Sequence, residues 1–205
     1  MPEEGYIKFN PQWKKTPPLS GDLMERLIDA RQQLYRLNLI GAYPSGIGYG
    51  NISHRYELPK NSNAFLISGS ATGNIALLDS RHFSLVTQVD IDRNKLHCQG
   101  PLIASSESMS HAVIYQECPA VQAVVHIHNL PMWQQLLHKI PTTDAKAAYG
   151  TPEMALSIVD LLKDTDLKQT GLFVMEGHEE GIFAFGDSLR KAVRIILNSR
   201  EIIGF

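Results

Sequence analysis

Apolar residues along the chain fall into two rhythms. Leu23, Met24, Leu27, Ile28, Leu34, Tyr35 and Leu37 recur at helical spacing, which predicts a helix that Ser20 or Asp22 can cap and Gly41 can end. From residue 46 the pattern shortens to glycine-rich turns and β-type runs, GNISHRY, AFLISGS and FSLVTQVDI, and DRNK at 92–95 suits a hairpin turn. Ser105 and Ser106 precede a helix that runs through about Gln116. VQAVVHI reads as a buried strand, and Thr151-Pro152-Glu153 opens a helix whose apolar stripe lies in MALSIVDLL. GLFVM and GIFAF read as a strand pair, and Asp187 caps a last helix, LRKAVRIILNSREII. Residues 1–19 carry Pro2, Pro11, Pro17 and Pro18 and no helical period, so they read as an extended arm. Its Tyr6, Phe9 and Trp13 can pack on a neighbouring subunit or on their own. Strands in the middle with helices interspersed predict an α/β layered fold, with residues 20–205 as one domain after the arm.

Composition narrows the class without naming a function. The 205 residues are 43% hydrophobic and 20% charged, ordinary for a globular chain with a full core. A net charge of −2 without a block of like charges gives no footprint for nucleic acid or a membrane surface. The opening MPEEGYIKFNPQWKK lacks the basic start and apolar core of a secretory signal, and no run approaches a membrane span. Cys98 and Cys118 lack metal-type spacing and read as packing thiols in a reducing cytoplasm, the expected location.

Candidate chemistry starts at AVVHIHNL. In a strand, side chains at i and i+2 share a face, so His126 and His128 stand together while Val125 and Ile127 fill the core behind them. Such a pair can share one metal ion or can be two separately hydrogen-bonded imidazoles. His178 lies between two predicted strands, with Gly177 and Gly181 allowing a tight turn, and would supply a third ligand. Glu107, directly after Ser105 and Ser106, is the carboxylate candidate, and His111 at i+4 is placed to hydrogen-bond it. The two serines suit either an anion site at a helix start or ordinary capping. GYGNISHRY brings Gly48, Gly50 and Asn51 before a strand, and LISGSATGN brings Ser68, Gly69, Ser70, Thr72 and Gly73 after one; both can present N–H groups to a small anion. Neither is a Walker loop or a dinucleotide fingerprint. His54, His82, His97 and His138 lie in polar or turn-like contexts and read as structural.

The order of these pieces is specific. G-N-x-S, a strand ending in a Ser/Thr-Gly turn, S-S-E, V-V-H-x-H, and a lone histidine in a glycine-flanked hairpin resemble the class II aldolase/adducin family, from about residue 20 to the end of the chain. The resemblance implies an α/β/α layered sandwich around a mainly antiparallel sheet. It implies that His126, His128 and His178 bind Zn2+ or another divalent metal such as Co2+ or Mn2+. It makes Glu107 the acid/base, and it gives Gly50, Asn51, Ser70, Thr72, Gly73, Ser105 and Ser106 to a substrate phosphate. The activity implied is that of a fuculose-phosphate aldolase-like lyase on a small phosphorylated sugar, through a zinc-stabilised enediolate. A dehydratase or 4-epimerase on the same scaffold, or a non-catalytic adducin-like domain, are the alternatives. A homotetramer is the assembly implied.

Two departures bear on the reaction. Family aldolases read H-H-G or N-H-G at the third histidine, whereas this chain reads G-H-E-E-G, with Glu179 and Glu180 as expected solvated turn residues. The tyrosine by which aldolases protonate the aldehyde oxygen has no clear counterpart: Tyr149 is the one candidate, and the final residues IIGF carry none.

Overall fold

The computed structural model describes residues 6–59 and 61–204; the first five residues of the expected arm lie outside the described residues. In chain order the elements are β1 (Asn10–Lys15), α1 (Asp22–Arg36), β2 (Gly41–Ala42), β3 (Gly48–Tyr49), β4 (Asn51–Arg55) and β5 (Phe65–Ser68). A 3-10 turn (Ser80–His82) leads into β6 (Phe83–Asp90), β7 (Lys95–Gly100), α2 (Ser108–Glu117) and β8 (Ala123–His128). The chain ends with α3 (Leu130–Leu136), α4 (Pro152–Asp164), α5 (Leu167–Thr170), β9 (Leu172–Val174), β10 (Gly181–Gly186) and α6 (Leu189–Ile203).

Eight strands form one sheet in the order β1-β7-β6-β5-β4-β8-β10-β9, and β2 pairs with β3 apart from it. Every pairing is antiparallel except β1 with β7, so the sheet is mainly antiparallel as the resemblance implies. Helices cover both faces. One core packs Met109, Val113, Met154 and Ile158 of α2 and α4 on Phe65, Ile67, Val124 and Phe183. The other packs Leu27 and Leu34 of α1, Met132 of α3 and Ile196 of α6 on Ile52, Val125, Ile127 and Ile182. That two-sided cover is why β5, β8 and β10 are mostly apolar and are buried along their whole length. Each of these large side chains contributes about 1.5–3 kcal/mol when removed from water.

The strand expected only as an extended arm has a definite place. Asn10–Lys15 adds in parallel to β7, from Asn10 opposite Lys95 to Lys15 opposite Gly100, and the Trp13 indole donates to the Gly100 carbonyl at 3.0 Å. Three expected helix ends differ. Gly21 is the N-cap of α1 without a side-chain cap from Ser20 or Asp22, and Gly41 belongs to β2, beyond a helix that already ends at Arg36. Ser188, one residue after Asp187, caps α6 by accepting from the Lys191 N–H, while Asp187 pairs with the Lys191 ammonium at 3.1 Å. Thr151 caps α4 as expected. Among the described residues no helix is long and apolar enough to cross a membrane.

Candidate active site

β8 lies between β4 and β10, and its register sets the site. His126 is opposite Asn51 on one side and Phe183 on the other, with its ring stacked on Phe183 at 4.4 Å between centroids. His128 closes the strand opposite Gly181. His178 arrives from the β9–β10 turn, which is closed by the Gly181 N–H donating to the His178 carbonyl and the Met175 N–H to Gly181. Gly177 is required there by close approach: a Cβ would stand 1.9 Å from the Ala147 carbonyl oxygen. Glu107 is the N-cap residue of α2 and is 3% exposed.

One ligand atom from each of His126, His128 and His178 lies within 4.8 Å of the others, and all three residues are buried. The Nε2 atoms of His126 and His128 are 3.1 Å apart. Two zinc–nitrogen bonds at a tetrahedral centre put their nitrogens about 3.3 Å apart. Tautomers reinforce the fit. His126 Nδ1 faces the Ile182 carbonyl at 3.2 Å and so carries the proton, which leaves the Nε2 lone pair for the site. Burial first, then the neighbouring His128 and His178, hold the His126 pKa well below the usual imidazole value, favouring the neutral ligand form. Two lone pairs 3.1 Å apart repel unless a cation lies between them, so the donor set fits a divalent ion. Glu107 stands beside it, with Oε2 3.4 Å from His126 Nε2 and Oε1 3.8 Å from His178 Nδ1.

The predicted anion loops open onto the same cleft. Gly50 and Asn51 come from the start of β4; Ser70, Thr72 and Gly73 from the loop after β5; Ser105 and Ser106 from the turn before α2. The last two segments meet because Gly69 bridges Ala104 and the Ser70 N–H donates to the Ile103 carbonyl at 2.9 Å. Gly73 is packed so closely that a Cβ would lie 2.2 Å from the Gly41 carbonyl oxygen and 2.6 Å from the Gly48 Cα. The eleven residues that the resemblance assigns to metal, acid/base and phosphate all line one cleft, while Ser68, His111, His54, His82, His97 and His138 do not.

Two expectations need correction. His111 does not reach the Glu107 carboxylate. Its Nδ1 meets the Ser53 hydroxyl and its Nε2 the Asn51 Oδ1, both at 2.6 Å, and Asn51 Nδ2 donates to Ser105 Oγ at 3.1 Å. The reason is that Glu107 flanks the helix as its cap, while His111 turns inward under the sheet, fully buried, its pKa pushed down to about 3 by burial. Glu180 is not a purely solvated turn residue, unlike the exposed Glu179. Its Oε2 accepts from the Tyr43 hydroxyl at 2.7 Å, and that hydroxyl meets His128 Nδ1 at 2.8 Å. The Glu180 pKa lies below the usual carboxylate range because of its contact with His128, then Tyr43, against the effect of burial.

Sequence reasoning missed Tyr43, Tyr49 and Lys8. Tyr49 stacks on His128 with centroids 5.4 Å apart, and Tyr149 stacks on His178 at 4.6 Å with the Lys8 ammonium 3.6 Å from its ring centre. Tyr49 sits inside the GYGN stretch and was within reach of a reading centred on aromatic residues; Lys8 is far away in sequence and carried no signal.

A layered α/β fold thus brings three buried histidines with the spacing of a metal-ligand set, and a buried glutamate, to one glycine- and serine-lined cleft. Residues 25–203 match the family described as class II aldolase and adducin N-terminal domain, and the chain belongs to that family. A Mycoplasma pneumoniae protein named "probable L-ribulose-5-phosphate 4-epimerase" is 30% identical over 162 residues, covering 72% of this chain but 61% of that relative. Similar solved structures include an L-fuculose 1-phosphate aldolase (TM-score 0.67, 19% identity, 91% of this chain and 84% of that one). The L-fuculose-1-phosphate aldolase of Thermus thermophilus superposes with a TM-score of 0.61 at 22% identity, over 88% of this chain and 90% of its own. At these identities the solved structures establish a shared fold.

Proposed function

We propose that this chain is a divalent-metal-dependent enzyme that acts on a small phosphorylated sugar, with aldol cleavage as its reaction. The observation that carries the reading is the convergence of His126, His128 and His178 on one point with Glu107 at 3.4 and 3.8 Å from two of them, in the cleft that the glycine and serine loops line. The three histidines would hold the ion, zinc first and Co2+ or Mn2+ as substitutes, which when bound polarises a substrate carbonyl. In cleavage the carbon–carbon bond would break as the carbinol hydroxyl becomes the aldehyde carbonyl, and the hydroxyl proton would pass to Tyr149, which lines the cleft, or to solvent water. Protonated Glu107 would deliver a proton to the carbon released; in the reverse direction it removes that proton from the carbon beside the carbonyl. The backbone and hydroxyl groups of Gly50, Asn51, Ser70, Thr72, Gly73, Ser105 and Ser106 would hold the phosphate and so fix the reacting carbon. Buried free thiols at Cys98 and Cys118 support a cytoplasmic setting. The proposal includes a homotetramer, as the resemblance implies, which light scattering on the purified chain reads.

A second reaction on the same scaffold, 4-epimerisation, is favoured by the 30% identity to a protein named as an epimerase. Dehydration belongs to the same set.

The test is metal content by mass spectrometry for wild type and His126→Ala, followed by a screen of sugar phosphates with and without Glu107→Gln. About one divalent ion per chain, lost in His126→Ala, together with turnover that Glu107→Gln abolishes while keeping its metal, supports the reading. A wild type that neither carries nor takes up metal overturns it and favours an adducin-like interaction domain. The product of turnover, a cleaved aldehyde or an inverted carbinol, separates lyase from epimerase.

A further inference from the structure

The cleft poses a charge problem. A phosphate monoester carries nearly two negative charges, yet none of the residues that line the cleft is a lysine or arginine. One arginine lies directly behind it. Arg31 of α1 is 1% exposed, among the largest fully buried side chains of the protein. It is the single charged member of the stripe Met24, Leu27, Arg31, Leu34 that α1 turns inward.

Arg31 spends its donors on one loop. Its Nη2 donates to the carbonyls of Thr72 and Gly73 and its Nη1 to that of Ala76, each at 3.2 Å, and its guanidinium carbon lies 4.4 Å over the Tyr35 ring. Those acceptors are neutral. Among the described residues no carboxylate acts on Arg31; burial lowers its pKa to about 10, which still leaves it a cation at neutral pH. A buried charge without a counter-charge is costly, and proteins retain it where a partner arrives or a function needs it.

The geometry says where its influence goes. In a trans peptide the C=O and the following N–H point in opposite directions. With the Thr72 and Gly73 carbonyls turned toward α1, the N–H groups of Gly73 and Asn74 are turned away from it. Neither N–H donates to a protein acceptor among the described residues, and Gly73 lines the cleft.

We infer that Arg31 is a positioning residue and the buried counter-charge of the anion-binding loop: its fork holds the Thr72, Gly73 and Ala76 carbonyls on the α1 side, keeps the opposing N–H groups available to the cleft, and supplies positive potential from behind them. This rests on the reading that the glycine–serine cleft takes phosphate. Arg31 touches neither the substrate nor the metal ligands, so it acts through the loop. The fork matters as well as the charge, because a lysine ammonium is a point donor that cannot hold three carbonyls in one plane.

The experiment is calorimetric binding of inorganic phosphate to wild type, Arg31→Lys and Arg31→Met. It is run with metal and after chelation, so that phosphate on the metal is told apart from phosphate in the loop, and at two ionic strengths. Chelated wild type is expected to bind phosphate. Arg31→Met is expected to lose at least about tenfold in affinity, with a shallower salt dependence, while its metal stoichiometry is unchanged. Arg31→Lys keeps the charge but loses the fork, and is expected to weaken binding by several-fold; it decides the matter alone should Arg31→Met fail to fold. Phosphate affinity unchanged in Arg31→Lys and in any folded Arg31→Met overturns the inference and leaves the phosphate reading standing. A wild type that binds phosphate only through its metal overturns the phosphate reading of the loop and this inference with it.

Discussion

The Tyr43 hydroxyl bridges Glu180 Oε2 at 2.7 Å and His128 Nδ1 at 2.8 Å, tying the β2 side of the cleft to the β9–β10 turn through a histidine of the proposed metal set. A carboxylate can only accept, so the hydroxyl donates to Glu180 and its oxygen is left to accept from the His128 Nδ1–H. The ring is thereby fixed with Nε2 toward His126.

Tyr43→Phe and Glu180→Gln are therefore expected to weaken divalent-metal binding by about 10–100-fold. Competition against a chromophoric chelator reads the affinity. The unfolding temperature of the chelated protein should shift little, because Glu180 is partly exposed and phenylalanine keeps the Tyr43–Tyr49 ring contact at 4.8 Å. Equal metal affinity in all three proteins would remove the positioning role.

The chain should lose stability as pH falls below neutrality, with His111 as one cause. Its pKa is about 3 when folded and 6.5 in the reference state, so between these values the unfolded chain binds the extra proton. Stability is then fully present above the higher value and declines toward the lower. At about pH 5 the His111 share is about 2 kcal/mol, from about 1.4 kcal/mol per pH unit. Urea midpoints of the chelated protein at neutral and acid pH check this, and His111→Gln should show a shallower decline.

Gly177→Ala should loosen the proposed metal site from a position that carries none of its ligand atoms. The new Cβ would meet the Ala147 carbonyl oxygen at 1.9 Å and its carbon at 2.7 Å, both backbone atoms that cannot swing aside. The turn that presents His178 must move. The expected cost is about 1–3 kcal/mol of stability together with reduced metal affinity, read by thermal unfolding and chelator competition.

Asn51→Ala should cost about 1–3 kcal/mol, because it strips partners from two buried groups at once, His111 Nε2 and Ser105 Oγ. Phosphate binding should weaken in parallel, since Ser105 also accepts from the Glu107 N–H at 3.4 Å. Denaturant unfolding and phosphate calorimetry on the same variant measure both.

Much of this was legible locally. The helical stripe of α1, the capped start of α4, the hairpin joining β6 to β7, and the mostly apolar run of β8 are each written in a few neighbouring residues. H-x-H on a strand also says by itself that both imidazoles share a face. Capping was less legible: Asp187 and Ser188 are both competent caps, and only the backbone entering α6 selected Ser188. The parallel docking of β1 on β7 had no local sign, because its partner lies far along the chain and the pairing is made through the backbone, which every sequence possesses.

The chain by itself determined which residues could do chemistry: three histidines, a glutamate after two serines, and glycine turns able to expose amides. The tertiary structure alone decided how they are held. The register of Asn51 against His126 brings β4 beside the histidine cluster, and the His111 ring belongs to Asn51 rather than to Glu107. Glu180, read as a surface acid, is joined to His128 through a tyrosine that precedes it by more than a hundred residues. Periodicity and capping are short-range effects that a linear pattern records. Hydrogen bonds between distant segments depend on strand register and on the angle at which buried elements pack, and those are set only when the whole core closes.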